Sequence, residues 1–144
     1  MILFWLLIFS LASLAVWVFI KSKRLSELAN KDPREFIRRI YAALCRAFKL
    51  YGSPRLIYMA HREFFESIKG LLSSRPEPMH LMTETVLEAS FSTHALSIED
   101  SWKTLGLFHE VKGVILERQE QWGFWRKILF RIFVLDVLLI PRKV

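Results

Sequence analysis

The sequence predicts an all-α membrane protein: one N-terminal transmembrane helix, a small four-helix cytoplasmic domain and a C-terminal amphipathic to apolar helix. Three observations carry this. Residues 1–20 hold no charged side chain. Beyond them, apolar residues recur at helical spacing and no stretch alternates convincingly with period two. Capping residues, Pro and Gly fall at the ends of those periodic runs. The chain then divides into an anchor (1–20), a basic linker (21–31), a helical domain (32–121) and a tail (122–144).

The anchor reads MILFWLLIFSLASLAVWVFI, with Ser10 and Ser13 as its only polar residues. As a helix it covers about 30 Å, the thickness of a bilayer's hydrocarbon core. Trp5 and Trp17 lie near its two ends, where indoles favour the membrane interface. A cleaved secretory signal would put basic residues before the apolar run and small residues after it. Here Lys21, Lys23 and Arg24 follow the run instead. That order favours an uncleaved anchor in the cell membrane, N-terminus outside and domain in the cytoplasm.

Lys21 to Asn30 reads as a short polar connector. Asp32-Pro33-Arg34-Glu35 then opens a helix, with Asp32 as N-cap, Pro33 at the first helical position and Glu35 closing a capping box. Ile37, Ile40, Tyr41, Leu44, Phe48 and Tyr51 make its apolar stripe, and Arg38, Arg39, Arg46 and Lys49 lie largely off it. Gly52-Ser53-Pro54 ends it. A second helix is expected over about Leu56 to Leu72, with Ile57, Ala60, Phe64, Ile68 and Leu71 on one face. Ser73 to Pro78 reads as a linker, because its two prolines oppose helix. A third helix follows from about Met79 to Phe91. Ser97-Ile98-Glu99-Asp100 starts a fourth, which carries Ile98, Trp102, Leu105, Phe108 and Ile115 and runs to Arg118-Gln119-Glu120-Gln121.

Charge is sorted along the chain. Residues 21–50 carry nine Lys and Arg against three Asp and Glu, 51–121 carry seven against ten, and 122–144 carry five against one. The basic blocks therefore flank the membrane-type segments, which suits anionic lipid headgroups better than nucleic acid. Apolar content of 53% is high for a soluble protein, and part of the excess sits in the two ends.

Candidate chemistry is sparse. His61, His80, His94 and His109 show no metal-ligand spacing, and the five isolated glycines make no phosphate loop. No catalytic residue, cofactor, metal or small-molecule substrate is expected. Cys45, the lone cysteine, reads as a buried structural thiol beside Ala43, Leu44 and Ala47, although a dyad with a histidine stays open. Gly106 and Gly113 share a helix face and mark either a close helix–helix approach or a loosely packed helix. Arg38-Arg39 reads as a solvated basic face, with a lipid-headgroup site as the alternative.

The tail, Trp122 to Ile140, is apolar but broken by Arg126, Lys127, Arg131 and Asp136. Spanning a bilayer would bury those charges at several kcal/mol. Arg126, Lys127 and Arg131 fall within about 140° on a helical wheel. An interfacial helix is therefore favoured, with its cations at the headgroups. The rival is docking on a partner's helices through Trp122, Trp125, Phe133 and Asp136. The membrane-proximal basic set is then Lys21, Lys23, Arg24, Arg126, Lys127 and Arg131.

One resemblance adds to this. Ile37-Arg38-Arg39-Ile40-Tyr41 with Tyr51-Gly52, then His61-Arg62-Glu63-Phe64, Met82-Thr83-Glu84-Thr85-Val86-Leu87-Glu88-Ala89-Ser90-Phe91 and Leu96-Ser97-Ile98-Glu99-Asp100 form an ordered set over about residues 34–118. The set resembles the uncharacterised helical domain near the C-termini of membrane-anchored transglutaminase-like proteins. That domain also occurs as small membrane proteins encoded near MoxR-type AAA+ ATPases. Ala60, His61 and Phe91 depart from its Thr, Pro and Tyr. The resemblance implies no catalytic residue and a link to a MoxR-type system. The expected function is a non-catalytic, membrane-tethered interaction module, a small subunit or adaptor of a membrane assembly. The alternative is an accessory structural subunit of a membrane enzyme such as an oxidase or transporter.

Overall fold

The computed structural model describes residues 1–72, 75–117 and 123–138, with the side chains of 2–3, 126, 132–136 and 138 outside that description. Its described elements are all helical: α1 (Ile2–Lys31), α2 (Pro33–Tyr51), α3 (His61–Lys69) with a single 3-10 turn at Gly70–Leu72, α4 (Glu77–Phe91), α5 (Ile98–Glu117) and α6 (Phe124–Leu138).

The first departure from expectation is α1. Residues 21–31, read as a linker, continue the apolar helix without a break to Lys31. The reason is local: KSKRLSELANK holds neither Gly nor Pro, and Lys, Arg, Leu, Glu and Ala are good helix formers. The helix also gains a docking face. Val18, Ser22, Leu25 and Ala29 are buried at steps of four, three and four, a seam like that of a coiled coil. Through this seam the second half of α1 packs on α2, α5 and α6. From Phe4 to Trp17, in contrast, every side chain is exposed.

Asp32 makes the corner. Its N–H donates to Leu28 O at 2.8 Å, closing α1, and its Oδ1 accepts from Glu35 N at 3.1 Å, opening α2. Pro33 enforces the break, because the residue before a proline avoids the helical region. Glu35 does not complete a capping box. Its carboxylate instead takes Arg39 Nε at 2.8 Å, one turn along.

Helix α2 is the centre of the fold and packs on α1, α4, α5 and α6. Phe36, Ile37, Ile40, Tyr41, Ala43, Leu44, Ala47 and Phe48 are buried, and Arg38, Arg39, Ala42, Arg46 and Lys49 form the exposed face. It ends where expected. Gly52 adopts φ 95°, its N–H donates to Lys49 O, and Ser53 N donates to Phe48 O. A positive φ is the conformation that favours glycine there.

The second helix starts five residues later than its periodicity suggests. Leu56 to Ala60 are not helical and turn at Ile57–Tyr58, held by Arg55, whose Nε and Nη2 both donate to Met59 O at 3.2 and 2.9 Å. Ile57, expected on the apolar face, is exposed, and so is Tyr58. Glu63 accepts from Ala60 N at 3.3 Å and so marks the true start. Ala60 has no side-chain oxygen to return the bond. Helix α4 begins at Glu77, inside the expected linker, because Pro78 sits in the first turn, where a proline is tolerated. Ser73 and Ser74 lie outside the described residues. At the head of α5, Ser97 and Asp100 do form the expected reciprocal box: Asp100 N donates to Ser97 Oγ at 3.2 Å, and Ser97 N to Asp100 Oδ2 at 2.8 Å.

The C-terminus of α4 is capped from another helix. No basic residue stands in its last turn, and Arg34 and Arg38 of α2 donate to Ala89 O, Arg34 also to His94 O. Gly106 and Gly113 mark no close helix approach. A Cβ built on either meets nothing within 4 Å. Helix α6 folds back on α1 and α2, burying Phe130 and Val137. Part of the cover of the tail therefore comes from its own chain.

Candidate functional site

The exposed face of α2 is basic along its length, and two clefts flank it. The first lies where α1, α2 and α6 meet. It has a volume of about 350 Å³ and is lined by Lys21, Arg24, Leu25, Arg39, Ala42, Arg46 and Val137. Continuation of α1 past residue 20 swings Lys21 and Arg24 beside α2. The exposed turn positions 39, 42 and 46 of α2 supply the facing wall. Val137 of α6 and Leu25, both buried, form an apolar edge. Among the described residues no carboxylate lines this cleft. Glu35 reaches Arg39 from the preceding turn. Beside it, Lys21 Nζ sits 4.8 Å from the centre of the Trp17 ring, a cation–π contact that fixes the ammonium at the end of the apolar stretch.

The second cleft opens on the other flank of Ala42 and Arg46, which it shares with the first. It measures about 600 Å³ and also takes in Arg38, Arg55, Tyr41, Cys45 and His61, with Leu56, Ile57 and Val86 as apolar wall. Arg38 and Arg55 are already committed to the carbonyls of Ala89 and Met59. Tyr41 Oη is buried and has no hydrogen-bond partner of good geometry among the described residues, and the ring meets that of His61 edge-on at 5.0 Å. Burial, and next the neighbouring Cys45, raise the Tyr41 phenol well above its ordinary value. Burial pushes the Cys45 thiol up to about 11, with Arg55 pulling the other way. Burial and then Arg55 lower His61. A thiol raised so far is a poor nucleophile at neutral pH. Its partly exposed place at the cleft wall, not the closed core, is where the structure puts it.

The expected site residues separate. Lys21 and Arg24 enter the first cleft, and Lys23 is exposed outside its lining. Lys127 is half-buried and Arg131 exposed on α6. Trp125 is exposed beside Phe124, their rings 5.7 Å apart edge-on. Trp122 and the side chains of Arg126, Phe133 and Asp136 lie outside the described residues. Sequence reasoning missed Arg39 and Arg46 as companions of Lys21 and Arg24. A wheel of α2 alone shows them as solvent-facing, and only the docking of α1 brings the two pairs together. Among the described residues no group of three or more His, Cys, Asp or Glu is placed to hold a metal. One helix among the described residues, α1, is long and apolar enough to cross a membrane. Comparison of the chain with known protein families, with curated proteins and with solved structures returns no match.

Proposed function

We propose that the chain is a non-catalytic, membrane-tethered interaction module, a small subunit or adaptor of a larger membrane assembly, with its helical domain held at the cytoplasmic face. One observation carries this reading. An apolar helix whose side chains stand exposed from Phe4 to Trp17 runs unbroken into a packed, basic domain. In water that surface would be a large contiguous apolar patch, whereas in a bilayer it is solvated. Lys21, Lys23 and Arg24 after the apolar stretch support the inward orientation. Anionic headgroups are the lipid partner, and other membrane subunits are the protein partners. The resemblance described above adds a MoxR-type AAA+ system as the process.

The reading is tested on membranes from cells expressing the full chain. It should resist alkaline carbonate extraction, and a reporter fused after Val144 should register as cytoplasmic. Release by carbonate, or an external reporter, would overturn it. A second reading, an accessory structural subunit of a membrane oxidase or transporter, is favoured by the exposed Phe124, Trp125 and Leu129 on α6. Aromatic residues of that kind anchor interfaces between subunits. Copurification in mild detergent separates the two, since an AAA+ ATPase would be recovered in the first case and enzyme core subunits in the second.

A further inference from the structure

We propose that the cleft between α1, α2 and α6 seats the phosphate of an anionic phospholipid, with Lys21, Arg24, Arg39 and Arg46 taking its oxygens. The inference rests on the reading of α1 as a membrane span. It adds a defined site to what is otherwise a diffuse attraction.

Height supports it first. At 1.5 Å per residue Arg24 lies about 6 Å beyond Ile20 along α1, inside the headgroup layer, which is roughly 5–7 Å thick on each side of the hydrocarbon core. The mouth of the cleft is thus at the depth where lipid phosphates are. Convergence is the second support. Lys21 and Arg24 from α1 meet Arg39 and Arg46 from α2 at one cavity. Guanidinium groups carried on two helices and facing one cavity suit a single anion held between them. Composition is the third. Guanidinium forks match phosphate oxygens two at a time, and Arg24, Arg39 and Arg46 supply three of them. Glu35 takes Arg39 through Nε and holds the side chain in place. The apolar edge made by Leu25 and Val137 suits the glycerol and the first methylenes, from which the acyl chains would descend along α1. A volume near 350 Å³ equals about ten waters, room for a headgroup but not for a folded partner.

A soluble phosphate compound shares the recognition chemistry, so the test separates the sources. The full chain in mild nonionic detergent is titrated with phosphatidylglycerol, phosphatidylcholine or inorganic phosphate and followed by native mass spectrometry. One phosphatidylglycerol should be retained per chain at concentrations where phosphatidylcholine is not. In Arg39→Gln/Arg46→Gln its retention should fall at least tenfold, at about fivefold per surface cation. Arg24→Gln is a second, independent lesion of the same wall and should lower retention about fivefold. Lys49→Gln/Arg75→Gln, which removes exposed cations away from the cleft, should leave retention unchanged. Circular dichroism of each variant checks the fold. Equal retention of the two lipids, retention unchanged in both cleft variants, or displacement by inorganic phosphate at the same concentration as lipid would overturn the proposal. Carbonate extraction separates the levels. A resistant chain without lipid preference loses the site and keeps the anchor, and a chain that carbonate releases loses both.

Discussion

Tyr41 and Ser101 are buried hydroxyl residues whose oxygens have no hydrogen-bond partner of good geometry among the described residues. A buried hydroxyl without a hydrogen bond carries a desolvation penalty of about 1–3 kcal/mol. Tyr41→Phe and Ser101→Ala should therefore leave the thermal midpoint in detergent unchanged or raised, and a clear drop would show that a partner is present. His61 bears on pH. Its folded value lies below the ordinary 6.5, chiefly through burial and then through Arg55. The unfolded chain thus binds the proton more tightly. The stability His61 contributes is complete above about pH 6.5 and is lost as pH falls through the lowered value. Thermal melts between pH 8 and pH 5 should show this decline, and His61→Gln should flatten it. Cys45, raised to about 11 by burial, should be alkylated slowly at pH 8, where roughly a thousandth is thiolate. Maleimide labelling of the native chain should accelerate steeply towards pH 10. For this reason Cys45 is a poor reporter of which side of a membrane the domain occupies.

Among the helices, what was legible in the sequence was whatever a few neighbouring residues decide. Asp32 before Pro33, Gly52 after Tyr51, and Ser97 three residues before Asp100 fix ends through local bonds, and those ends stand where the residues indicate. Ser97→Ala should lower the unfolding free energy by about 1 kcal/mol, as loss of an N-cap does. Gly52→Ala should cost about the same for a different reason, since its Cβ meets nothing and only the positive φ resists it. Denaturant titrations of the two variants check both values. Less legible were a local bond that residue type does not signal and features that depend on contacts far along the chain. The apolar spacing of Ile57 and Ala60 suits a helix, yet Arg55 folds that stretch into a turn. Residues 21–31 are polar enough to pass for a connector until the seam of Ser22, Leu25 and Ala29 meets its partners. Arg38 passes for a solvated cation until the end of α4 is seen beneath it.

For the molecule as a whole, the docked second half of α1 changes what joins the apolar stretch to the domain. A flexible linker tolerates an extra residue, whereas a seam does not. One Ala inserted after Lys23 turns Leu25 and Ala29 about 100° away from their contacts. It should destabilise the domain by several kcal/mol, read as a lower melting temperature, while the same insertion after Ser10 should leave melting unchanged. Undiminished stability in the Lys23 insertion would mean that the seam contributes little. The unbroken rod has a mechanical side as well. An apolar helix longer than the surrounding bilayer is thick leans over to hide its excess. On the proposed membrane reading, the packing of α1 on the domain at Leu25 and Ala29 makes the domain lean with it. Bilayer thickness would thereby be converted into the inclination of a basic surface, and a chain moved from a thick membrane to a thin one would present a different flank of α2 to whatever lies above it.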